Sequence, residues 1–407
     1  MPDIHPLDST LIDQIAAGEV IDRPASVLKE LIENSLDSGA DSIQVLIKKG
    51  GHELIQVSDN GCGMNDTNLR LAFRRHATSK ISSLADLNAI HTLGFRGEAL
   101  PSIASVSMFT VRSAVSDNKG NKIIINGSEE KLFQPIASQK GTLCKVQNLF
   151  YNTPARRKFL KKPETEQALI YSIMRRFMLS RPHIAFSLYS NDKLVYDVPS
   201  QSLFERISSI FGSTYSENLL PVELEKDPYS IKGYVGNLSV LKKRQGEQYL
   251  FLNGRYIKDR LLNSAVFSAY QSLINRGEYP FFALFLKLPY ENFDVNVHPA
   301  KLEVRFLNEW HVYHVIKASI NNSLKDIVKV IPDYNPGYQS NPLPAPDTET
   351  LPFNKSGSIL SEKIFEIAPH NRQTSVQNPD QIPILPNVLE KAQERMVDAL
   401  LDDPGAS

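Results

Sequence analysis

Apolar positions recur at helical spacing over residues 7–20 and again over 27–36, and predict two N-terminal helices. Pro24, in Arg23-Pro24-Ala25-Ser26, suits the first turn of the second helix, and Ser38-Gly39 ends it. The pattern then shortens. Residues 42–47 and 53–57 read as strands joined through Gly50-Gly51, and a looser stretch from His76 to Glu98 carries Gly94 and Gly97. Strands resume over 108–115, 122–126 and 142–147, and a helix follows over 163–179. Past a domain boundary near 200–217 the mixture repeats. A strand over 249–252, a helix over 257–273, a strand over 281–288 and a closing helix over 310–330 are predicted. This order is α+β rather than a regular βαβ alternation, and no repeat of fixed period runs through it.

Composition adds limits. The 407 residues suit two to three domains, and 42% apolar with 22% charged residues is ordinary for a soluble protein. No run approaches the roughly 18 apolar residues of a membrane span. The start, Met1-Pro2-Asp3-Ile4-His5, lacks the basic and apolar regions of a signal peptide. Two cysteines, Cys62 and Cys144, exclude a disulfide scaffold and a four-cysteine zinc site, so a reducing, cytoplasmic setting is expected. The net charge of zero hides an asymmetry. From Pro332 onward lie 11 of the 25 prolines, 5 of the 45 basic and 11 of the 45 acidic residues, so the preceding part carries an excess of positive charge. Such a polar, proline-rich stretch cannot offset its ordering entropy and reads as a linker, with one helical pattern over 388–401. A linker leads to something, so the chain is expected to be a fragment lacking a C-terminal domain.

Three segments carry candidate chemistry. On the second helix, Glu30, Glu33, Asn34 and Asp37 fall within an arc of roughly 100°, opposite Leu28, Leu31, Ile32 and Leu36. This is either a solvated acidic face or a site offering a general base and a hard oxygen ligand for magnesium. Asp59-Asn60-Gly61-Cys62-Gly63-Met64 follows an apolar strand, as a tight turn or as a loop that lets a ligand approach the backbone. Thr92-Leu93-Gly94-Phe95-Arg96-Gly97-Glu98-Ala99-Leu100 places glycines before a helix start, where free N–H groups suit a phosphate or simply cap a surface loop. His76-Ala77-Thr78-Ser79-Lys80 upstream supplies hydroxyls and a cation, and no ordinary P-loop occurs.

Together these segments resemble the GHKL ATPase superfamily and, within it, the MutL family of DNA mismatch repair proteins. The resemblance rests on Gln14-Ile15-Ala16-Ala17-Gly18-Glu19-Val20, Arg23-Pro24-Ala25-Ser26, the run from Lys29 to Ala40 and Gly94-Phe95-Arg96-Gly97-Glu98-Ala99-Leu100. Phe150-Tyr151-Asn152-Thr153-Pro154-Ala155-Arg156-Arg157-Lys158-Phe159-Leu160 and Asp294-Val295-Asn296-Val297-His298-Pro299-Ala300-Lys301 extend it over about residues 1–330. It implies a GHKL-type α/β sandwich ATPase domain over 1–200 and a second α/β domain of ribosomal-protein-S5-like type over 201–331. A disordered linker over 332–407 follows, with the C-terminal dimerisation domain absent.

The resemblance also implies roles, with ATP and Mg2+ as cofactors. Glu30 matches the general base that activates water, and Lys301 matches a lysine sent from the second domain to the γ-phosphate. Asn34 matches the magnesium ligand. Asp59 matches the carboxylate that accepts the adenine amino hydrogen, Gly61 and Gly63 leave room for the nucleotide, and the Thr142 hydroxyl lies beside the base. Thr78, Ser79, Lys80, Gly94, Phe95, Arg96 and Gly97 belong to a lid that wraps the triphosphate. The family also implies ATP-dependent homodimerisation through the N-terminal region, non-specific DNA binding, a MutS-type mismatch sensor and a downstream endonuclease or helicase as partners, and no membrane.

Arg156, Arg157 and Lys158, with Lys161 and Lys162, form a basic stretch, and Lys242, Lys243 and Arg244 form another; each alone also reads as solvated surface. By resemblance the first helps hold DNA, and Arg260 matches a DNA-contacting arginine. The alternative is another GHKL ATPase, such as a type II topoisomerase subunit or a sensor kinase, or a scaffold with a vestigial ATPase. No Asp-Gln-His-Ala…Glu-Arg run appears, so no endonuclease site is expected in this chain. His311 and His314 lack a third metal ligand. Cys62 reads as a small filler, and Trp310 as packing for the closing helix.

Overall fold

A computed structural model describes residues 8–80, 97–294 and 304–330. Its first sheet has eight strands: β1 (Ser42–Lys48), β2 (Leu54–Asp59), β3 (Met108–Ser116), β4 (Lys119–Asn126), β5 (Glu129–Ile136), β6 (Gly141–Gln147), β7 (Ala185–Ser190) and β8 (Lys193–Val198). They lie in the order β5-β4-β3-β6-β2-β1-β7-β8, and every pair is antiparallel except β1 with β7. Helices α1 (Ser9–Val20) and α2 (Pro24–Asp37), with a long helix at Pro163–Ser180, share one core with this sheet. Short helices α3 (Asp66–Leu71), α4 (Ala99–Ser105) and α5 (Pro154–Phe159) precede that long helix, α6.

Strand alternation positions the site. Ile47, Ile55, Val146 and Phe109 form one cross-strand row over β1, β2, β6 and β3, and Val45, Val57, Cys144 and Val111 form the next. The third row on the same face runs Ile43, Asp59, Thr142 and Ser113. The apolar face therefore turns polar at one end, under α2.

A second sheet, in the order β12-β11-β13-β10-β9, is formed by β9 (Leu219–Lys226), β10 (Tyr229–Gly236), β11 (Gln248–Leu252), β12 (Arg255–Ile257) and β13 (Phe282–Lys287). A two-stranded ribbon of β14 (Phe293–Asp294) and β15 (Arg305–Phe306) lies beside it in sequence. Leu250, Leu252, Leu284 and Leu286 pack on helices Arg260–Tyr270 and Glu309–Val330. Tyr249, Phe251 and Ala283 point the other way, into a cluster with Leu179 of α6 and with Ile207 and Tyr215 of helices α7 (Leu203–Phe211) and α8 (Ser213–Ser216). Both faces are covered, which is why these strands read as continuous apolar runs. The two remaining helices are α9 (Arg260–Tyr270) and α10 (Glu309–Val330).

The α+β class holds. The expected helix over 257–273 is shorter: Ile257 ends β12, and Asp259 caps α9 by accepting from the Leu262 N–H at 2.8 Å. Strands β5 and β7 to β10 and helix α7 appear where no element was expected. Trp310 is 65% exposed rather than packed, meeting only Tyr313 and His314 of its own helix among the described ring contacts. Cys62 is exposed and does not fill a gap. The expected linker lies outside the described residues.

Arg206 on α7 ties the connection between the sheets. It is fully buried, and its guanidinium donates to the carbonyls of Met178 (3.1 Å), Pro182 (2.7 Å), Ile184 (2.9 Å) and Pro199 (2.6 Å). Burial pulls its pKa down to about 10, so it stays charged at neutral pH. Arg206→Met keeps the apolar stem and removes its N–H donors from four buried carbonyls, of which that of Pro182 keeps the Gln201 N–H at 3.0 Å. A loss of about 3–5 kcal/mol is expected. Thermal unfolding should show the midpoint lowered by roughly 6–15 °C; a shift under ~2 °C would contradict this role.

Candidate active site

Helix α2 lies over the polar end of the first sheet. Pro24 stands in its first turn, and Val27, Leu28, Leu31 and Ile32 are buried in the core. Periodicity alone left its acidic face open between solvent and site. The face is not solvated: Glu33 is only 6% exposed, and Lys29 donates to Glu30 Oε1 at 2.9 Å and Glu33 Oε2 at 3.0 Å. Burial pushes the Glu33 carboxyl up, against the pull of Lys29.

Asp59 is the centre of the polar row. Its Oδ2 accepts from Ser35 Oγ at 2.7 Å, and its Oδ1 accepts from the N–H groups of Gly61 (3.0 Å) and Thr142 (3.3 Å). Burial raises its pKa, and these three donors counter the rise in part. Ser113 Oγ lies 2.8 Å from Thr142 Oγ1 and accepts from the Met64 N–H at 2.8 Å. Ser35 and Ser113 were missed by sequence reasoning, since a lone serine on a helix or strand carries no pattern. The packing of α2 on the sheet brings Ser35 to Asp59, and the cross-strand register brings Ser113 to Thr142.

The glycines are shaped by the protein itself. A Cβ on Gly61 would overlap the Ser38 hydroxyl, and one on Gly63 (φ +67°) would strike the Ala114 carbonyl. These glycines thus let the loop close on α2 and β3.

Lys80 crosses to α2, with its ammonium 2.9 Å from Asn34 Oδ1 and 2.6 Å from Asp37 Oδ2. The Asn34 amide oxygen therefore already faces a cation, which fits the donor chemistry of a magnesium ligand. Thr78 and Ser79 are exposed, and the Thr78 hydroxyl accepts from the Lys80 N–H at 3.1 Å. Gly97 (φ +63°) backs onto the Ala77 carbonyl, and His76 Nδ1 lies 3.5 Å from Glu98 Oε1. The two ends of the stretch 78–97 therefore meet. Gly94, Phe95, Arg96 and Lys301 lie outside the described residues.

The basic residues are separate from this cluster. Arg157 and Lys158 are exposed on α5, and Arg260 is exposed at the start of α9. Arg156 instead lies over Gly18 of α1, where a Cβ would overlap its guanidinium, and its Nη1 is buried without a hydrogen-bond partner among the described residues. Lys243 is paired with Glu278 at 2.6 Å. His311 stacks on Tyr229, with ring centroids 5.0 Å apart.

Comparison with known proteins bears on both sheets. Residues 22–145, from the start of α2 to β6, match the family of histidine kinase-, DNA gyrase B-, and HSP90-like ATPases. Residues 207–325 match the family described as DNA mismatch repair protein, C-terminal domain. DNA mismatch repair protein MutL of Bacteroides fragilis is 42% identical over 370 residues, covering 87% of this chain and 59% of that protein. The Chloroherpeton thalassium MutL is 40% identical, over 83% of this chain and 52% of its own length. The chain thus spans a little over half the length of these relatives. Among solved structures, the Aquifex aeolicus MutL ATPase domain complexed with ADP is 28% identical, with a TM-score of 0.51 over 66% of this chain and 93% of that one. Two family matches, one over residues of each sheet, and a similarity running along most of the sequence lead to one conclusion: the chain belongs to the MutL family and carries its GHKL ATPase fold.

Proposed function

We propose that this chain binds and hydrolyses ATP and uses the nucleotide cycle to direct DNA mismatch repair. The observation that supports the reading is the seating of α2 on the polar end of the first sheet: Ser35 of α2 bonds Asp59 beside Thr142, and Glu30 and Asn34 stand one turn apart on the same helix. Asp59 offers an ionised acceptor, held by three donors, to the adenine amino group. Glu30 activates the attacking water. Asn34 Oδ1 would hold magnesium, which would neutralise phosphate charge. The stretch 78–97, through Thr78, Ser79, Lys80, Gly94, Phe95, Arg96 and Gly97, closes over the triphosphate, and Lys301 reaches its terminal phosphate. We read 1–200 and 201–331 as the ATPase and second domains. Loss of the γ-phosphate contact loosens both lid and domain arrangement, so ATP favours an N-terminal homodimer. The setting is cytoplasmic, and the partners are DNA, a MutS-type sensor and a downstream endonuclease or helicase. Among the described residues no helix is long and apolar enough to cross a membrane.

Turnover of ATP by the chain, with magnesium and with a chelator, tests the reading. Release of phosphate that the chelator stops supports it; no release above background overturns it. The DNA role rests on Arg157, Lys158 and Arg260. Arg260→Glu should weaken duplex binding and reduce the salt slope by about one phosphate contact, with ATP affinity unchanged. Equal DNA affinity at low salt for variant and wild type would remove Arg260 from that surface.

A further inference from the structure

The catalytic face of α2 carries a cation that the ATPase reading does not use. Lys29 precedes Glu30 and lies one turn before Glu33, and its ammonium sits between the two carboxylates at 2.9 and 3.0 Å. On an exposed helix such an i,i+4 pair is loose and contributes little. Here the Glu33 side chain is 8% exposed, so that end of the bridge is shut from solvent. Among the described residues Lys29 is the sole hydrogen-bond donor to either carboxylate. The ammonium is thus anchored on the buried side and grips one oxygen of Glu30 on the other.

We propose that Lys29, anchored by Glu33, is the positioning residue for Glu30: it fixes Oε1 so that Oε2 is presented to the attacking water. This rests on the reading of Glu30 as the general base. A carboxylate on a flexible stem has many rotamers, and only a few aim at a water beside a phosphoryl group. A misplacement of about 1 Å costs on the order of 100-fold in rate, so fixing one oxygen matters to catalysis. Among the described residues, Arg255 of β12 also acts electrostatically on Glu33, and Lys80 is engaged with Asn34 and Asp37.

A purely structural role, in which Lys29 only neutralises buried Glu33, makes a different forecast. It predicts that the double variant Lys29→Met/Glu33→Gln, with no buried charge left alone, recovers activity. The positioning role predicts no recovery. Single-turnover ATP hydrolysis by the full chain separates them. Lys29→Met and the double variant should each lose about 10–100-fold in kcat, with affinity for a non-hydrolysable ATP analogue within about threefold of wild type. Lys29→Arg, which keeps a cation between the two carboxylates, should come back to within about threefold. If Lys29→Met fails to fold, the double variant carries the test. A kcat for the double variant within about threefold of wild type overturns the positioning role. If Glu30→Ala also retains turnover, the reading of Glu30 as the general base falls; if Glu30→Ala abolishes it, only the role of Lys29 does.

Discussion

Replacing Glu30 with alanine is expected to lower kcat for ATP hydrolysis by about 10²–10⁴-fold, the usual worth of a general base. That corresponds to roughly 3–5 kcal/mol of barrier. The loss should fall on kcat and not on nucleotide affinity, because the groups read as holding ATP are elsewhere: Asp59 and Thr142 on the sheet, Asn34 one turn further along α2. The substitution should also leave the fold intact. Among the described residues the half-buried Glu30 carboxylate accepts one side-chain hydrogen bond, from Lys29, and Lys29 keeps Glu33 as a partner in the variant. Single-turnover hydrolysis with excess protein measures the chemical step directly, and analogue binding serves as the control. A rate within about threefold of wild type would remove Glu30 as the base. A rate loss accompanied by an equal loss of binding would instead assign Glu30 to holding the nucleotide.

How far the sequence reaches toward this site depends on the range of each interaction. Helix α2 was legible because its apolar stripe, its Pro24 and its Ser38-Gly39 stop are local signals. Strands β1, β2, β3 and β6 were legible for the same reason, being central strands with apolar alternation. Strand β5 was not: it is a mostly exposed edge strand, Glu129 to Ile136, with Pro135 near its end and little apolar alternation. Helix α7 carries local signals, the Ser202–Glu205 capping box and Leu203, Ile207 and Ile210 at helical spacing; what stays hidden is Arg206, as buried as Ile207, which reads as a surface residue until four backbone carbonyls close around it. Glu30, Asn34, Asp59 and Thr142 could be named from motifs, but their support could not. Ser35 and the burial of Glu33 depend on how α2 packs on the sheet, and Ser113 depends on which strand lies beside which. No spacing along the chain encodes that. Arg156 shows the converse: one of three adjacent basic residues turns inward onto Gly18, a distinction that composition does not contain.

Asp59→Ala should raise the dissociation constant for ATP by at least about 100-fold, the largest binding effect expected in the molecule. Two losses combine. The adenine amino group loses a charged acceptor, and the Ser35 hydroxyl and the Gly61 and Thr142 N–H groups lose the oxygen that organised them. Asp59→Asn separates the two, since an amide keeps the shape and one acceptor oxygen but offers a donor on its other side; it should still bind at least about 10-fold more weakly than wild type. The same carboxylate sets a pH dependence of opposite sign for folding and for binding. Burial raises the Asp59 pKa above the ordinary aspartate value of 3.8. The folded state therefore holds this proton more tightly than the unfolded chain, and the contribution of Asp59 to stability declines as pH rises from 3.8 through the raised value. Binding needs the ionised acceptor, so affinity for ATP should fall as pH drops through that raised value, by up to about tenfold per unit. Titration calorimetry from neutral to mildly acidic pH, on wild type and Asp59→Asn, would read this directly. The wild-type curve should bend and the variant curve should lack that bend; parallel curves would take Asp59 out of the adenine contact.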